Sequence, residues 1–185
     1  MKNFVVILCI LCMGVSTSSA QESTFVKPDR VINIGVGLGG NLYSGYGSDI
    51  KRIPAITLSY ESCVKDQLFD EKSSLGVGAI LGYSSAKYND PMDDWSWKSS
   101  TFVVGARGAL HYALVDKFDT YTGLMLGYNI VSTKYSGAVD AGGAASGLSW
   151  AWYLGGRYYF NQSTAAFAEL GYGISVLNVG VAFKL

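Results

Sequence analysis

Along most of the chain apolar side chains alternate with glycine or polar ones, the period of two expected for β-strands whose two faces meet different surroundings. The first such segment, 31–39, sets Ile32, Ile34, Val36 and Leu38 against Asn33, Gly35, Gly37 and Gly39. The second, 53–62, opposes Ile56, Leu58 and Tyr60 to Thr57, Ser59 and Glu61, with Pro54 at its start where a missing donor is tolerated. In 75–84, Leu75, Val77, Ala79, Leu81 and Tyr83 face away from Gly76, Gly78, Gly82 and Ser84, and Ile80 is the one apolar residue on the glycine side.

Segment 101–112 carries Phe102, Val104, Ala106, Leu110 and Tyr112 opposite Gly105, Arg107, Ala109 and His111. Segment 118–131 has Leu124, Leu126, Tyr128 and Ile130 on one side, while Tyr121 and Met125 blur the other. The last three are 148–160, with Arg157 on the glycine side, 164–172, with Glu169 there, and 176–185, with Lys184 there. The pattern therefore predicts eight strands.

The connections 40–52, 85–100 and 132–147 are long and polar, whereas 113–117 and 161–163 are short. Long loops at one end and tight turns at the other suit an up-and-down barrel with both termini on the side of the tight turns. The link 63–74 is expected to be long and the turn after Tyr172 very short, both against that rule.

Downstream of residue 20 no apolar run is long enough for a helical membrane span, so any crossing must use strands. In hydrocarbon a strand can hide its backbone polar groups only in a closed ring. Ten residues tilted by about 45° cover roughly 23 Å, close to the apolar band of about 25 Å in such barrels. Eight strands leave an interior just wide enough for side chains, which favours glycine on the inside. Tyr153, Tyr159 and Phe167 are expected to help fill it.

Charge decides which face is which. Glu61, Arg107, Arg157, Glu169 and Lys184 all take the glycine parity. An Arg or Lys in lipid near the midplane costs about 2–4 kcal/mol, whereas inside it can pair with a carboxylate. The expectation is a closed antiparallel all-β transmembrane barrel with a plugged lumen, joined internally by those five residues. Aromatic residues near the strand ends, Tyr83, Trp150 and Trp152 at one rim and Tyr60, Tyr112, Tyr158 and Phe160 at the other, suit membrane interfaces.

The start of the chain reads as a cleaved signal peptide over residues 1–20: Lys2 supplies the charge, 4–15 is apolar, and Ser18, Ser19 and Ala20 form a small-residue cleavage site. A segment 21–30 on the periplasmic side then leads into the barrel domain, 31–185. Composition agrees, with 23 Gly, 13 Tyr and 3 Pro in 185 residues. Zero formal net charge gives no basic surface for nucleic acid. Beyond the leader Cys63 stands alone, so no disulfide framework forms, and it reads as a turn residue.

The repeated stretches LGVGAILGY, GLMLGYNIV and ELGYGISVLNVGVAFKL resemble those of small outer-membrane β-barrels typified by OmpX and the transmembrane domain of OmpA. The resemblance implies an integral outer-membrane protein with variable surface loops and a structural, adhesive or host-contact role. Its partners would be outer-membrane lipids and the barrel assembly machinery, which reads an aromatic-ended terminal strand. Here Phe183 is followed by Lys184 and Leu185, a departure from that signal.

Candidate chemistry is sparse. His111 with Asp116 and Asp119 lacks a nucleophile at evident spacing, so no enzyme activity is expected. Asp90, Asp93 and Asp94 in the loop 88–98 do not follow a calcium-loop spacing, and no cofactor is expected. Trp95 and Trp97 in that loop are the candidates for surface recognition of an extracellular partner. Two other readings stay open: a narrow channel, and a soluble periplasmic barrel that, like a lipocalin, holds an apolar ligand inside.

Overall fold

A computed structural model describes residues 23–39, 50–89, 96–136 and 145–185. Its strands are β1 Arg30–Leu38, β2 Ile50–Asp66, β3 Ser73–Asn89, β4 Ser96–Val115, β5 Phe118–Ser136, β6 Gly147–Tyr159, β7 Thr164–Tyr172 and β8 Leu177–Lys184. Each pairs antiparallel with its neighbours in sequence, and β1 pairs with β8, so the sheet closes. A ring is what leaves no strand with an unpaired edge. The expected eight-stranded up-and-down barrel is the fold, and among the described residues there is no helix. The leader, 1–20, lies outside those residues.

The wall is uneven in height. Strands β2 to β5 hold 17, 17, 20 and 19 residues, whereas β1, β7 and β8 hold 9, 9 and 8. One side of the barrel thus rises above the other at the end away from the chain termini, here called the upper end. This corrects several loop boundaries. Pairing continues from Ser85↔Ser100 to Asn89↔Ser96, so residues expected in a loop belong to a hairpin. At the lower end β2 runs to Asp66 past a register shift between Cys63 and Lys65, so the link to β3 is only 67–72. Cys63 is accordingly a buried strand residue and not part of a turn.

Tight lower turns are made with left-handed residues, Gln67 after β2 and Lys117 between β4 and β5. In the short turn between β7 and β8, Gly173 has φ +128°, where a side chain would be strained and would also meet Ala151.

The two faces separate by parity. Ile34, Val36, Leu58, Val77, Leu81, Phe102, Val104, Leu110, Leu124, Leu126, Leu154, Leu170 and Val181 lie exposed on the outside. Inside are Asn33, Thr57, Ser59, Glu61, Arg107, His111, Asp119, Arg157, Glu169 and Asn178, all buried. Ile80, Tyr121 and Met125, which broke the alternation, also point inward and are buried. They belong to the upper interior cluster with Ala55, Val103, Ala151, Tyr153 and Ile174.

Candidate functional site

Among the described residues, the paired charges gather in the lumen. Arg157, on β6, is wholly buried and binds Glu61 of β2 through Nη2 and Asp119 of β5 through Nη1, the latter at 3.1 Å. His111, on β4, sits between the same two carboxylates, with Nε2 2.9 Å from Glu61 Oε1 and Nδ1 3.0 Å from Asp119 Oδ1. Both ring nitrogens therefore face carboxylate oxygens, and against two ionised carboxylates the imidazolium donates from each. Asn33 of β1 accepts from Arg157 Nε at 3.2 Å and donates to Ser59 Oγ at 2.9 Å.

Ser59 links this lower cluster to a second one. It accepts from Arg107 Nη1 at 3.3 Å, and Arg107 Nη2 binds Glu169 Oε1 at 2.8 Å. Glu169 also accepts from the Tyr121 hydroxyl at 2.9 Å and from Asn178 Nδ2 at 3.4 Å, and Thr57 donates to Asn178 Oδ1 at 3.1 Å. The guanidinium of Arg107 lies over the Tyr153 ring at 4.2 Å, and that of Arg157 over Tyr121 at 4.5 Å. Three cations then face three carboxylates, Glu61, Asp119 and Glu169. Such pairing is what permits charge in a closed interior.

Every strand except β3 contributes a polar partner to this network. β3 contributes room instead: a Cβ on Gly76 would lie 2.4 Å from Glu61 Oε1. Inward glycines thus leave the space into which side chains of neighbouring strands lean, Glu61 over Gly76 and Tyr121 with Glu169 over Gly155.

Below the network the chain itself stoppers the barrel. Phe25, 1% exposed, packs its ring 4.3 Å from His111 and clusters with Val31, Cys63, Tyr159, Phe167 and Ala182. Its segment is tied down by Asp29, whose carboxylate accepts from Val26 N at 3.0 Å and from Lys184 Nζ at 2.9 Å, while Lys184 also donates to the Thr24 carbonyl. Above the network remains a cavity of about 40 Å³, lined by Thr57, Ile80, Arg107, Met125, Tyr153 and Glu169 among others. It has room for only a few water molecules.

Of the five charged residues singled out by parity, Glu61, Arg107, Arg157 and Glu169 come together. Lys184 does not join them: at the last residue of β8, its stem reaches down to the N-terminal segment rather than up into the lumen. His111, Asp119, Asn33, Thr57, Ser59, Tyr121 and Asn178 are the members sequence reading did not place there. Asp119, which the sequence offered only as a neighbour of His111 and Asp116, is the second residue of β5 and is buried. The inward parity of Asn33, Ser59 and His111 was the available signal. His111, caged by two carboxylates and capped by Phe25, has neither a free nitrogen nor access for a substrate.

At the upper rim, Trp97 lies in β4 rather than in a loop, because cross-strand pairing with Tyr88 extends the hairpin. Its ring stacks on Tyr88 with centroids 6.5 Å apart, and Tyr135 is its cross-strand neighbour on β5. All three take the inward parity and are half-buried above the lumen. Trp95, Asp90, Asp93 and Asp94 lie outside the described residues.

In the lower turn, outside the sheet, Asp70 accepts from Tyr112 Oη at 3.0 Å and from Lys72 N at 3.0 Å. Desolvation raises its carboxyl, but the bonds from Tyr112, Lys72 and Ser73 together outweigh it, and its pKa falls below the ordinary 3.8.

No protein-family model matches the chain, and no curated protein matches it. Among solved structures, the chain is similar to the attachment invasion locus protein Ail of Yersinia pestis, crystallised with the heparin analogue sucrose octasulfate. The two share 16% identity with a TM-score of 0.56, over 85% of this chain and 98% of that one. It is also similar to the N-terminal β-barrel domain of OprF from Pseudomonas aeruginosa, at 14% identity and a TM-score of 0.51, over 85% and 97% of the two chains. The register, the closure and these two likenesses agree that this chain has the fold of the small eight-stranded barrels of bacterial outer membranes.

Proposed function

We propose that the protein is an integral outer-membrane barrel, exported by the leader 1–20, whose sealed body mounts surface segments for contact with an extracellular partner. One observation carries the reading: every strand turns a row of apolar side chains outward, while the paired carboxylates and guanidinia of the described strands point inward. A soluble barrel shows water its polar face and keeps its apolar one within; this chain does the opposite. The exposed belt in β4, from Tyr112 to Phe102, spans ten residue steps, roughly 23 Å for a strand tilted by about 45°. That matches a hydrocarbon core of barrel-crossing height.

In this reading Tyr60, Tyr112, Tyr158 and Phe160 lie at the periplasmic interface, and β8 with Phe183 is the strand offered to the assembly machinery. Trp97, with Tyr88 and Tyr135, is the recognition platform above the extracellular mouth. The filled lumen favours a mount over a channel, because Arg157, His111, Arg107 and their carboxylates, with Phe25 beneath, occupy the path a solute would take.

Two measurements test the proposal. After carbonate or urea washing of cell envelopes the chain is expected to stay with the membrane, and release into the soluble fraction would overturn the membrane assignment. In planar bilayers no steady conductance step is expected; reproducible steps would establish the channel instead.

A further inference from the structure

On the outside of the tall strands, the register lines up three successive rows that run across β2, β3, β4 and β5. The lowest is apolar, through Ile56↔Tyr83, Tyr83↔Phe102 and Phe102↔Ile130. The next is mostly hydroxyl, through Ile53↔Ser85, Ser85↔Ser100 and Ser100↔Ser132; Ser85 itself is covered, with its Oγ 3.2 Å from Ser100 Oγ, and Ser132 is exposed. The third is cationic without interruption: Lys51↔Lys87, Lys87↔Lys98 and Lys98↔Lys134. All four lysines are exposed.

Adjacent strands lie about 4.8 Å apart, so the four stems stand along a line of about 14 Å. Like charges directly opposite on neighbouring strands destabilise a sheet. Among the described residues none of the four makes a salt bridge. The row therefore works against the hairpins that carry it, and an anionic partner would relieve the repulsion.

Its height identifies the partner. Successive outward positions on a strand are about 7 Å apart, so the lysines lie about 13 Å along the strand beyond Tyr83 and Phe102, or about 9 Å along the axis at a tilt of about 45°. Apolar, hydroxyl and cationic rows then follow the order of a leaflet from inside out: hydrocarbon, hydrogen-bonding interface, phosphate. We infer that Lys51, Lys87, Lys98 and Lys134 form a clamp for the phosphates of anionic lipid headgroups in the outer leaflet. The inference rests on the membrane assignment above and adds a lipid preference to it. A soluble polyanion is the less suitable occupant, because the row shares its face with the apolar belt and lies against the bilayer surface.

The test uses the full mature chain in phosphatidylcholine vesicles that carry a trace of spin-labelled lipid, with the resonance spectrum reporting lipid immobilised at the barrel. Labelled phosphatidylglycerol is expected to be favoured over labelled phosphatidylcholine. One lysine near an anionic headgroup accounts for about fivefold at the sites it serves. The K51Q/K87Q/K98Q/K134Q variant should lose most of that preference, 1 M NaCl should weaken it, and the matching Lys→Arg variant should keep it. If the quadruple variant does not insert, K87Q/K98Q is expected to lose about half of the effect.

An unchanged preference in the Lys→Gln variants overturns the clamp. So does wild-type binding of soluble tripolyphosphate without any lipid preference, which would assign the row to a free polyanion. A chain that immobilises no lipid at all fails at the membrane assignment instead, so the two failures are distinguishable.

Discussion

The lower and upper halves of the lumen are filled on different principles. Below, Glu61, His111, Asp119, Arg157 and Asn33 form a cage in which each ionised group has at least one polar partner at hydrogen-bond distance. Above, Ile80, Val103, Met125, Ala151 and Ile174 pack by shape and leave the small cavity. The difference teaches where loss is severe: an apolar filling fails by degrees, whereas an ionic one fails at once, because a deserted charge cannot be rehydrated.

The largest expected effect follows directly. Arg157→Leu takes from Glu61 and Asp119 the guanidinium they share and leaves both carboxylates to His111 alone, and the barrel should lose about 3–5 kcal/mol, read from urea unfolding of the inserted protein by tryptophan fluorescence. A loss below 1 kcal/mol would mean that the cage is wet and the contrast with the upper half is false. Phe25→Ala should cost about 3 kcal/mol, at the low end for such a truncation because the terminal segment can detach without opening the sheet. The same variant should still pass no current in planar bilayers, since the cage above Phe25 stays closed.

Gly76→Ala sharpens the comparison without removing a charge. Its methyl would enter the space of a Glu61 carboxylate held by both Arg157 and His111, so a cost of about 1–3 kcal/mol is expected in the same unfolding measurement. In the upper half Ile80→Val should cost only about 0.5–1.5 kcal/mol. Should Ile80→Val exceed Gly76→Ala, the upper cluster would be the tighter region.

The smallest effect lies outside the lumen, at Asp70. Its carboxyl is more acidic folded than unfolded, so the stability it adds is present above the ordinary value of 3.8 and is lost as pH falls through the lowered folded one. Asp70→Asn should flatten that part of the acid-unfolding curve and leave neutral pH nearly unchanged. An identical acid limb in the variant would remove Asp70 from this role.

Strand positions and faces were legible because they depend on a local period. A residue such as Leu126 or Leu154 points outward whatever the rest of the chain does, once its neighbours are extended. Strand ends were read less well: Ser85, Lys87, Lys98 and Lys134 look like loop residues one at a time, and only pairing with one another makes them a sheet. Ile80 and Met125 broke the apolar pattern because a lumen needs some apolar filling above its charges.

Within the chain, alternation and the parity of Glu61, Arg107, Arg157 and Glu169 determined an outward apolar belt and an inward charged face. Only the tertiary structure decided who meets whom. Glu61 and Arg157, 96 positions apart, are joined because the ring closes with one particular stagger. Phe25 becomes a stopper, Lys184 leaves the lumen to hold that segment, and four scattered lysines become one row. Side-chain direction is fixed by the two-residue repeat of a single strand, whereas register and closure are set jointly by all eight.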